Sequence, residues 1–249
     1  MHFLADWQPI PQLGRRLLAS CLSDLAACGA EPVGYLLAVA WPAARGAEEA
    51  AALAAALREA EAEFSCPLLG GDTDVRPGTL RLEATVLGRV KEPLLRSGAQ
   101  AGDRLFVSGP LGAAAAVVTA RLAGESLEGR GADWEDAELR FLRPEPRLAL
   151  GRRLQGRAHA VIDLSDGLLE DAARMAIASG LDIQVDSARV PVHPAAGLEL
   201  ALAGGEDYEL LVAGPESLAE DCPELVPIGH LAAPAGEGPR VRLDEAGTP

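Results

Sequence analysis

Four short motifs that join carboxylates to glycine or serine carry most of the chemistry that this sequence can support. They are Ser23-Asp24-Leu25-Ala26-Ala27, Gly70-Gly71-Asp72-Thr73, Asp163-Leu164-Ser165-Asp166-Gly167 and Gly204-Gly205-Glu206-Asp207-Tyr208. Carboxylates beside glycine turns suit hard divalent cations that bridge to phosphate groups. Lys91 is the only lysine, which excludes the common nucleotide sites that place a lysine on the phosphates. Together these features indicate an unusual phosphate-transferring enzyme.

The motif that begins at Asp163 is the most informative of the four. Val161 and Ile162 precede it as an apolar strand end, so Asp163 is predicted at the carboxyl edge of a sheet, where ligands of α/β proteins gather. Asp166 and Gly167 then open a helix, and the free N–H groups of a helix start face anions. Two carboxylates and a hydroxyl can hold a cation against phosphate oxygens. The alternative is a simple helix cap by Ser165 or Asp166.

Two other motifs have equally simple alternatives. Gly70 and Gly71 let the backbone approach a bulky anion, with Asp72 as a metal ligand; the alternative is a plain turn. Asp24 lies inside a predicted helix, where aspartate costs helix propensity, so a functional or tertiary reason is indicated. The alternative there is a solvated aspartate.

The remaining candidates concern charge recognition. Gly204 ends a predicted helix, and Glu206, just after it, can face a cationic substrate group; the alternative is a connector with solvated acids. Arg96 lies near a predicted domain boundary, where its guanidinium can grip phosphate oxygens. The alternative for Arg96 is an ordinary surface arginine.

Composition limits the classes of partner. The net charge of −15 argues against nucleic acid, because binding a phosphodiester backbone needs basic patches. An anionic substrate remains compatible, since bound Mg²⁺ reverses the field of a carboxylate-rich pocket. The four cysteines form no C-x-x-C pair, which argues against a zinc site. Without a signal peptide or a stretch of membrane-spanning length, we expect a cytoplasmic protein and no membrane partner.

Hydrophobic periodicity predicts alternating helices and strands in two α/β units. A small, polar, turn-rich segment at 97–103 separates domains 1–97 and 98–249. The first unit is predicted to hold a helix at 12–30, a buried strand at 33–41, a helix at 47–63, a turn at 70–72 and a strand at 79–90. In the second we predict strands at 104–108, 159–163, 182–186, 208–213 and 224–230, helices at 111–123, 134–142, 146–155, 167–179, 194–203 and 215–221, and a loose tail from 232.

The combined motifs are similar to those of a known family. The matching text is His2-Phe3, Ser23 to Pro32, Leu69 to Thr73, Arg96 to Ala99, Gly102-Asp103, Val107 to Gly109, Arg143-Pro-Glu-Pro-Arg147, Ile162 to Leu168 and Ala203 to Glu209. The chain resembles the thiamine-monophosphate kinase family of the aminoimidazole ribonucleotide synthetase-like superfamily. The resemblance implies a two-domain α/β (α+β) fold and a homodimer built through the N-terminal sheets. It also implies direct transfer of the ATP γ-phosphate to thiamine monophosphate, giving thiamine diphosphate.

The same resemblance implies residue roles. Several Mg²⁺ ions would align an in-line attack, so no covalent protein nucleophile is required. The implied metal ligands are Asp24, Asp72, Asp163 and Asp166. The implied ATP contacts are Gly71, Asp72, Arg96 and Ser165, and the implied substrate contacts are His2 and Glu206.

The sequence departs from the family pattern at both ends. Family members carry Gly-Asp-Asp-Ala and Thr-Asp motifs upstream of the His-Phe pair, whereas Met1 directly precedes that pair here. Either the start of the chain is assigned too late or the product is shortened, and a shortened first domain would lack early strands and leave a sheet edge unpaired. No aromatic residue follows Tyr208, although the family usually ends with one at the thiamine. Two alternatives stay open: a truncated, non-catalytic protein that binds nucleotide or thiamine phosphate, and a purine-precursor ring-closing ligase of the same superfamily.

Overall fold

The computed structural model describes residue 4 and residues 7–244, which form two β-sheets with packed helices. The helices are α1 (Ile10–Ala27), α2 (Ala47–Phe64), α3 (Ala113–Leu122), α4 (Ala132–Leu142), α5 (Leu148–Leu154), α6 (Leu168–Ser179), α7 (Leu198–Ala203) and α8 (Leu218–Asp221). The strands are β1 (Glu31–Pro42), β2 (Leu68–Arg76), β3 (Arg81–Arg89), β4 (Arg104–Val107), β5 (Ala160–Asp163), β6 (Asp182–Asp186), β7 (Leu210–Gly214), β8 (Val226–Ala232) and β9 (Val241–Asp244). This is the mixed α/β architecture expected from the sequence.

The first sheet has three strands in the order β2-β1-β3, with β2 parallel and β3 antiparallel to β1. Its inner face packs against α1 and α2 around a core that includes Leu18, Leu22, Tyr35 and Leu57. The predicted strand at 33–41 is confirmed, but it is buried on one face only, because Leu36 is 44% exposed on the outer face. An apolar run fits a strand covered on both sides equally well, so periodicity did not reveal the uncovered face.

The predicted turn at Gly70-Gly71-Asp72 is also wrong, since all three residues lie within β2. A Cβ atom on Gly71 would come within 1.9 Å of the Leu37 carbonyl oxygen on β1. Gly71 is therefore needed for close approach of two strands, a second common use of glycine in a sheet.

The second sheet has six strands in the order β5-β7-β4-β8-β6-β9, and helices pack on both of its faces. Alternate residues of β5 enter different cores, because side chains of a strand alternate between the two faces. Ile162 joins a core with Leu168 and Met175 of α6, whereas Val161 joins a core with Leu150 and Leu154 of α5.

Helix α1 connects the two sheets. Its inner residues Leu18 and Leu22 belong to the core of the first sheet. Ala26 and Ala27, one turn later, belong to a core of the second sheet. The C-terminal end of α1, which carries Asp24, is thereby held beside β5, and Asp163 is the last residue of β5.

Most predicted elements are confirmed within a few residues, but the prediction of a loose tail from residue 232 is wrong at residues 241–244. Residues 241–244 form β9, which pairs in parallel with β6. No helix in residue 4 or residues 7–244 is long and apolar enough to cross a membrane. The domain boundary near residue 97 stays a prediction.

Candidate functional site

The segment Gly204–Tyr208 packs directly on the loop that follows β5. The Glu206 N–H donates to the Ser165 carbonyl at 2.9 Å, and the Tyr208 N–H donates to the Leu164 carbonyl at 2.9 Å. A Cβ atom on Gly205 would lie 2.4 Å from the Ser165 carbonyl oxygen, so only glycine permits this approach. Two motifs that are about 40 residues apart in the chain therefore form one surface.

Asp163 and Asp24 form an electrostatically strained pair at this surface. Asp163 is 8% exposed, and burial together with the nearby Asp24 and Asp171 carboxylates raises its pKa to about 6. Desolvation likewise raises the pKa of Asp24, and the Arg96 guanidinium opposes that shift. The surrounding protein does not offset the cost of desolvating these negative charges, as expected for groups that bind a cation.

The residues here fit a hard divalent cation. Carboxylates are preferred ligands of Mg²⁺, and a bound cation would remove the charge repulsion that raises the Asp163 pKa. The Ser23 hydroxyl is fully buried without a partner at hydrogen-bond geometry in the described structure, although it lies near enough to Asp163 to lower the carboxyl pKa. Among the described residues, however, no group of three or more His, Cys, Asp or Glu side chains is gathered as a metal cluster.

The loop Ser165–Gly167 is held from within by Asp171, a residue that the sequence analysis missed. One Asp171 oxygen accepts the N–H groups of Ser165, Asp166 and Gly167 at 3.1, 3.0 and 3.2 Å. The alternative interpretation of Ser165 or Asp166 as the helix cap is wrong, since Gly167 occupies the N-cap position and no side chain caps α6. A carboxylate in the first turn replaces the expected cap.

Glu206 is held in a strained conformation. Its φ is 66°, and Tyr208 has a φ of 54°; such left-handed backbone in non-glycine residues costs energy and clusters at functional sites. Arg16 of α1, which is 6% exposed, forms an ion pair with Glu206 at 2.9 Å. Helix α1 therefore supplies both the cation that orients Glu206 and the Asp24 carboxylate.

Behind Glu206 lies a buried charge network that the sequence analysis also missed. Both oxygens of Asp207 accept the Gly112 N–H at 3.0 Å, at the start of α3. Burial raises the pKa of Asp207 to about 7. Glu209, 2% exposed, accepts hydrogen bonds from Arg147 at 2.8 Å and Ser108 at 2.5 Å. This network fixes the strained segment to residues at the end of β4 and at the starts of α3 and α5.

The remaining predicted site residues are placed differently. Asp72 lies on edge strand β2, directly opposite Ala38 on β1, and its carboxylate accepts only the local Thr73 N–H among the described hydrogen bonds. Leu25, the neighbour of Asp24, lies against Gly88 of β3, since a Cβ atom there would come within 2.8 Å of the Leu25 side chain. Gly88 pairs with Pro32 of β1. Asp24 therefore lies beside the Pro32 end of β1. Six residues of strand separate Pro32 from Ala38, about 20 Å. His2 lies outside the described residues.

Two cavities in the described part of the chain flank this region rather than coincide with it. One, of about 380 Å³, is lined by residues of α3, α4 and their connection, including Arg121, Trp134 and Glu138. The other, of about 310 Å³, is lined by Arg15, Arg147, Asp207 and Glu209 among others. The second cavity therefore touches the charge network behind Glu206, whereas Asp24 and Asp163 line neither cavity.

Comparison with protein families gives a class for this fold and site. The model described as AIR synthase related protein, N-terminal domain, matches residues 1–90. The model described as AIR synthase related protein, C-terminal domain, matches residues 100–233. These matches define a two-domain AIR synthase related protein.

Individual relatives narrow the class. The chain is 40% identical to a thiamine-monophosphate kinase of Caulobacter vibrioides over 227 residues, which are 86% of this chain and 63% of that protein. The crystal structure of thiamine-monophosphate kinase from Stenotrophomonas maltophilia is 35% identical, with a TM-score of 0.86 over 97% of this chain and 81% of that one. AaThiL complexed with AMPPCP and TMP is 28% identical, with a TM-score of 0.86 over 96% and 79%. The chain belongs to the thiamine-monophosphate kinase family of AIR synthase related proteins.

Proposed function

We propose that this protein transfers the γ-phosphoryl group of ATP directly to thiamine monophosphate. A phosphate oxygen of thiamine monophosphate attacks the γ-phosphorus, the bond from that phosphorus to the β-phosphate bridging oxygen breaks, and ADP leaves. The product is thiamine diphosphate. The chain spans 63% of the length of its Caulobacter relative.

The observation that carries the proposal is the packing of Gly204–Tyr208 on Ser165–Gly167. It brings Glu206, our candidate for the thiamine monophosphate site, next to Ser165, our candidate for the ATP site, through the 2.9 Å hydrogen bond between their backbones. Phosphoryl transfer depends mainly on holding donor and acceptor in line, with charge stabilised by cations. The complex of AaThiL with AMPPCP and TMP supports the same pair of ligands for this chain.

In this proposal Asp24 and Asp163 hold Mg²⁺, and Asp166, which is exposed at the loop, holds a further ion. The metal supplies positive charge to the transferring phosphates when bound. Two arginines complete the site. Arg96, near Asp24, contacts the nucleotide phosphates, and Arg16 orients Glu206.

We place Asp72 and Gly71 at an interface with a second copy of the chain. Asp72 shares the outer face of the first sheet with Ala38 and Glu83, its register partners. That face also exposes Leu36 and Leu87, each 44% exposed, which favours a partner there. We propose a homodimer through this face, in which Asp72 contributes to metal and nucleotide binding at the interface, because it lies about 20 Å along the strand from Asp24.

The experiment is ³¹P NMR of products from ATP, thiamine monophosphate and Mg²⁺. The proposed kinase gives ADP and thiamine diphosphate in equal amounts, without inorganic phosphate. Nucleotide binding without turnover would favour the non-catalytic alternative. Release of inorganic phosphate with a purine precursor would favour the ligase.

Matched variants sharpen the experiment. Asp166→Asn removes a proposed metal ligand at an exposed position, so we expect a large loss of turnover with an unchanged melting temperature. Asp186→Asn, at the end of β6, is the control, and it should retain wild-type turnover. Equal rates for Asp166→Asn and the wild type would refute the metal role.

A further inference from the structure

A carboxylate–guanidinium pair on α6, formed by the buried Asp171 and the partly exposed Arg174, lies directly behind the loop Ser165–Gly167. Asp171 is 1% exposed, and its two oxygens have different tasks. One accepts the three loop N–H groups. The other accepts a hydrogen bond from Arg174 at 2.6 Å.

Arg174 extends this pair to the loop's own side chain. The same Nη1 atom that binds Asp171 also binds the Asp166 carboxylate at 2.5 Å. Arg174 further contacts Glu170 at 3.3 Å. Asp166 is thus fixed twice, through its backbone N–H by Asp171 and through its carboxylate by Arg174.

The energetic consequence follows from burial. Three N–H groups in a row that converge on one oxygen need a negative charge, and hydrogen bonds to an ionised group are about twice as strong as neutral ones. If the charge were removed, the loop N–H groups would lose their strongest acceptor and the loop would be free to rearrange. A displacement of about 1 Å at a phosphate-positioning loop is enough to impair binding and transfer strongly.

We propose that Asp171 is the positioning residue of the nucleotide loop, and that Arg174 transmits its hold to the Asp166 carboxylate. The pair touches neither substrate nor metal. It sets the direction of the Ser165 and Asp166 groups before the nucleotide arrives. This inference rests on the proposed function, because it assigns MgATP to that loop.

A second buried carboxylate, on strand β6, provides a matched control. Asp182 is 6% exposed and also accepts two backbone N–H groups, those of Ala235 and Arg240, at 3.1 and 2.9 Å. It lies on β6, four strands from β5 in the sheet order, about 19 Å away. Asp171→Asn and Asp182→Asn therefore each replace a carboxylate that accepts N–H groups from a loop. Only the loop held by Asp171 is assigned to the nucleotide.

The experiment measures binding of MgAMPPCP by calorimetry and backbone amide exchange in the same variants. We expect Asp171→Asn to weaken MgAMPPCP binding roughly tenfold to a hundredfold, the range typical of residues that orient ligand-binding groups. Amide exchange at 165–167 should accelerate in that variant alone. Asp182→Asn should bind MgAMPPCP like the wild type and should exchange faster only near 235–240.

The outcomes separate the inference from its premise. Wild-type affinity of Asp171→Asn for MgAMPPCP, or an equal loss in Asp182→Asn, would overturn the positioning role. Should Asp171→Asn fail to fold, Arg174→Gln decides, since Arg174 is partly exposed: weaker binding supports the role and unchanged binding overturns it. A wild-type protein that does not bind MgAMPPCP would overturn the proposed function, and the inference would fall with it.

Discussion

Replacing Asp163 with asparagine should stabilise the ligand-free protein. The folded structure raises the Asp163 pKa from its ordinary value of 3.8 to about 6, mainly through burial. At 1.36 kcal/mol per pKa unit, the charged form costs roughly 3 kcal/mol of folding stability above pH 6. Asparagine has the same shape and no charge, so Asp163→Asn should recover most of this energy, raising the melting temperature by about 6 °C for a chain of this size.

The sign of the pH dependence follows from proton linkage. Between pH 4 and 6 the folded protein holds a proton on Asp163 that the unfolded chain has lost, so the wild type becomes less stable as pH rises through this window. The gain from Asp163→Asn should therefore be full at pH 8, about half as large at pH 5, and absent near pH 3.5. Urea denaturation of both proteins at these three pH values measures it.

Magnesium should reverse the ranking. At a Mg²⁺ concentration about 1,000-fold above Kd, binding stabilises the wild type by about 4.1 kcal/mol, which exceeds the roughly 3 kcal/mol advantage of Asp163→Asn, whereas the variant should gain little from the metal. Asp182→Asn is a control of opposite sign, because hydrogen bonds from Ala235 and Arg240 lower the pKa of Asp182, so its replacement should destabilise at neutral pH. An Asp163→Asn protein that is less stable than the wild type at pH 8, or a gain that does not vary with pH, would refute the reasoning.

Three further predictions concern the surrounding elements. Gly71→Ala should lower the free energy of unfolding by about 3 kcal/mol, because its Cβ would meet the Leu37 carbonyl oxygen. The control Gly197→Ala has open space around its Cβ, so its free energy of unfolding, measured by chemical denaturation, should stay within about 0.5 kcal/mol of the wild type. Glu206→Gln should raise the KM for thiamine monophosphate about tenfold without changing that for ATP; Glu199→Gln on α7 is the control, and an equal rise in both KM values would contradict the role. Since the pKa of Asp207 is raised to about 7, its contribution makes the protein less stable as pH rises from about 4 to 7, and Asp207→Asn should flatten the stability profile over that window; an unchanged profile would show that Asp207 is not the titrating group.

Local pattern was sufficient for most elements and for the strand-end position of Asp163. The apolar residues Val161 and Ile162 followed by Asp163 predicted the end of a strand, and β5 ends there. Helix periodicity predicted α1, although the pattern does not show that α1 spans two cores. That second fact places Asp24 beside Asp163, and it depends on packing between distant parts of the chain.

The features that the sequence did not predict share one physical cause: each depends on contacts between residues that are far apart in the chain. Gly70-Gly71-Asp72 has the composition of a turn, yet its glycine serves contact with β1. The tail was assigned as loose because its composition is rich in Gly and Pro, yet β9 gains its order from pairing with β6. Asp171 follows helix periodicity as an ordinary first-turn acid, and only the folded loop shows what it accepts.

The measurement that tests the account most directly is paramagnetic broadening of backbone amide signals by Mn²⁺, used in place of Mg²⁺. We expect selective broadening around Asp24 and Asp163 in the wild-type protein and its loss in Asp163→Asn. Broadening confined to the acidic cavity lined by Glu125, Glu128, Glu135 and Glu138, or an identical pattern in the two proteins, would contradict the claim that these two aspartates hold the cation.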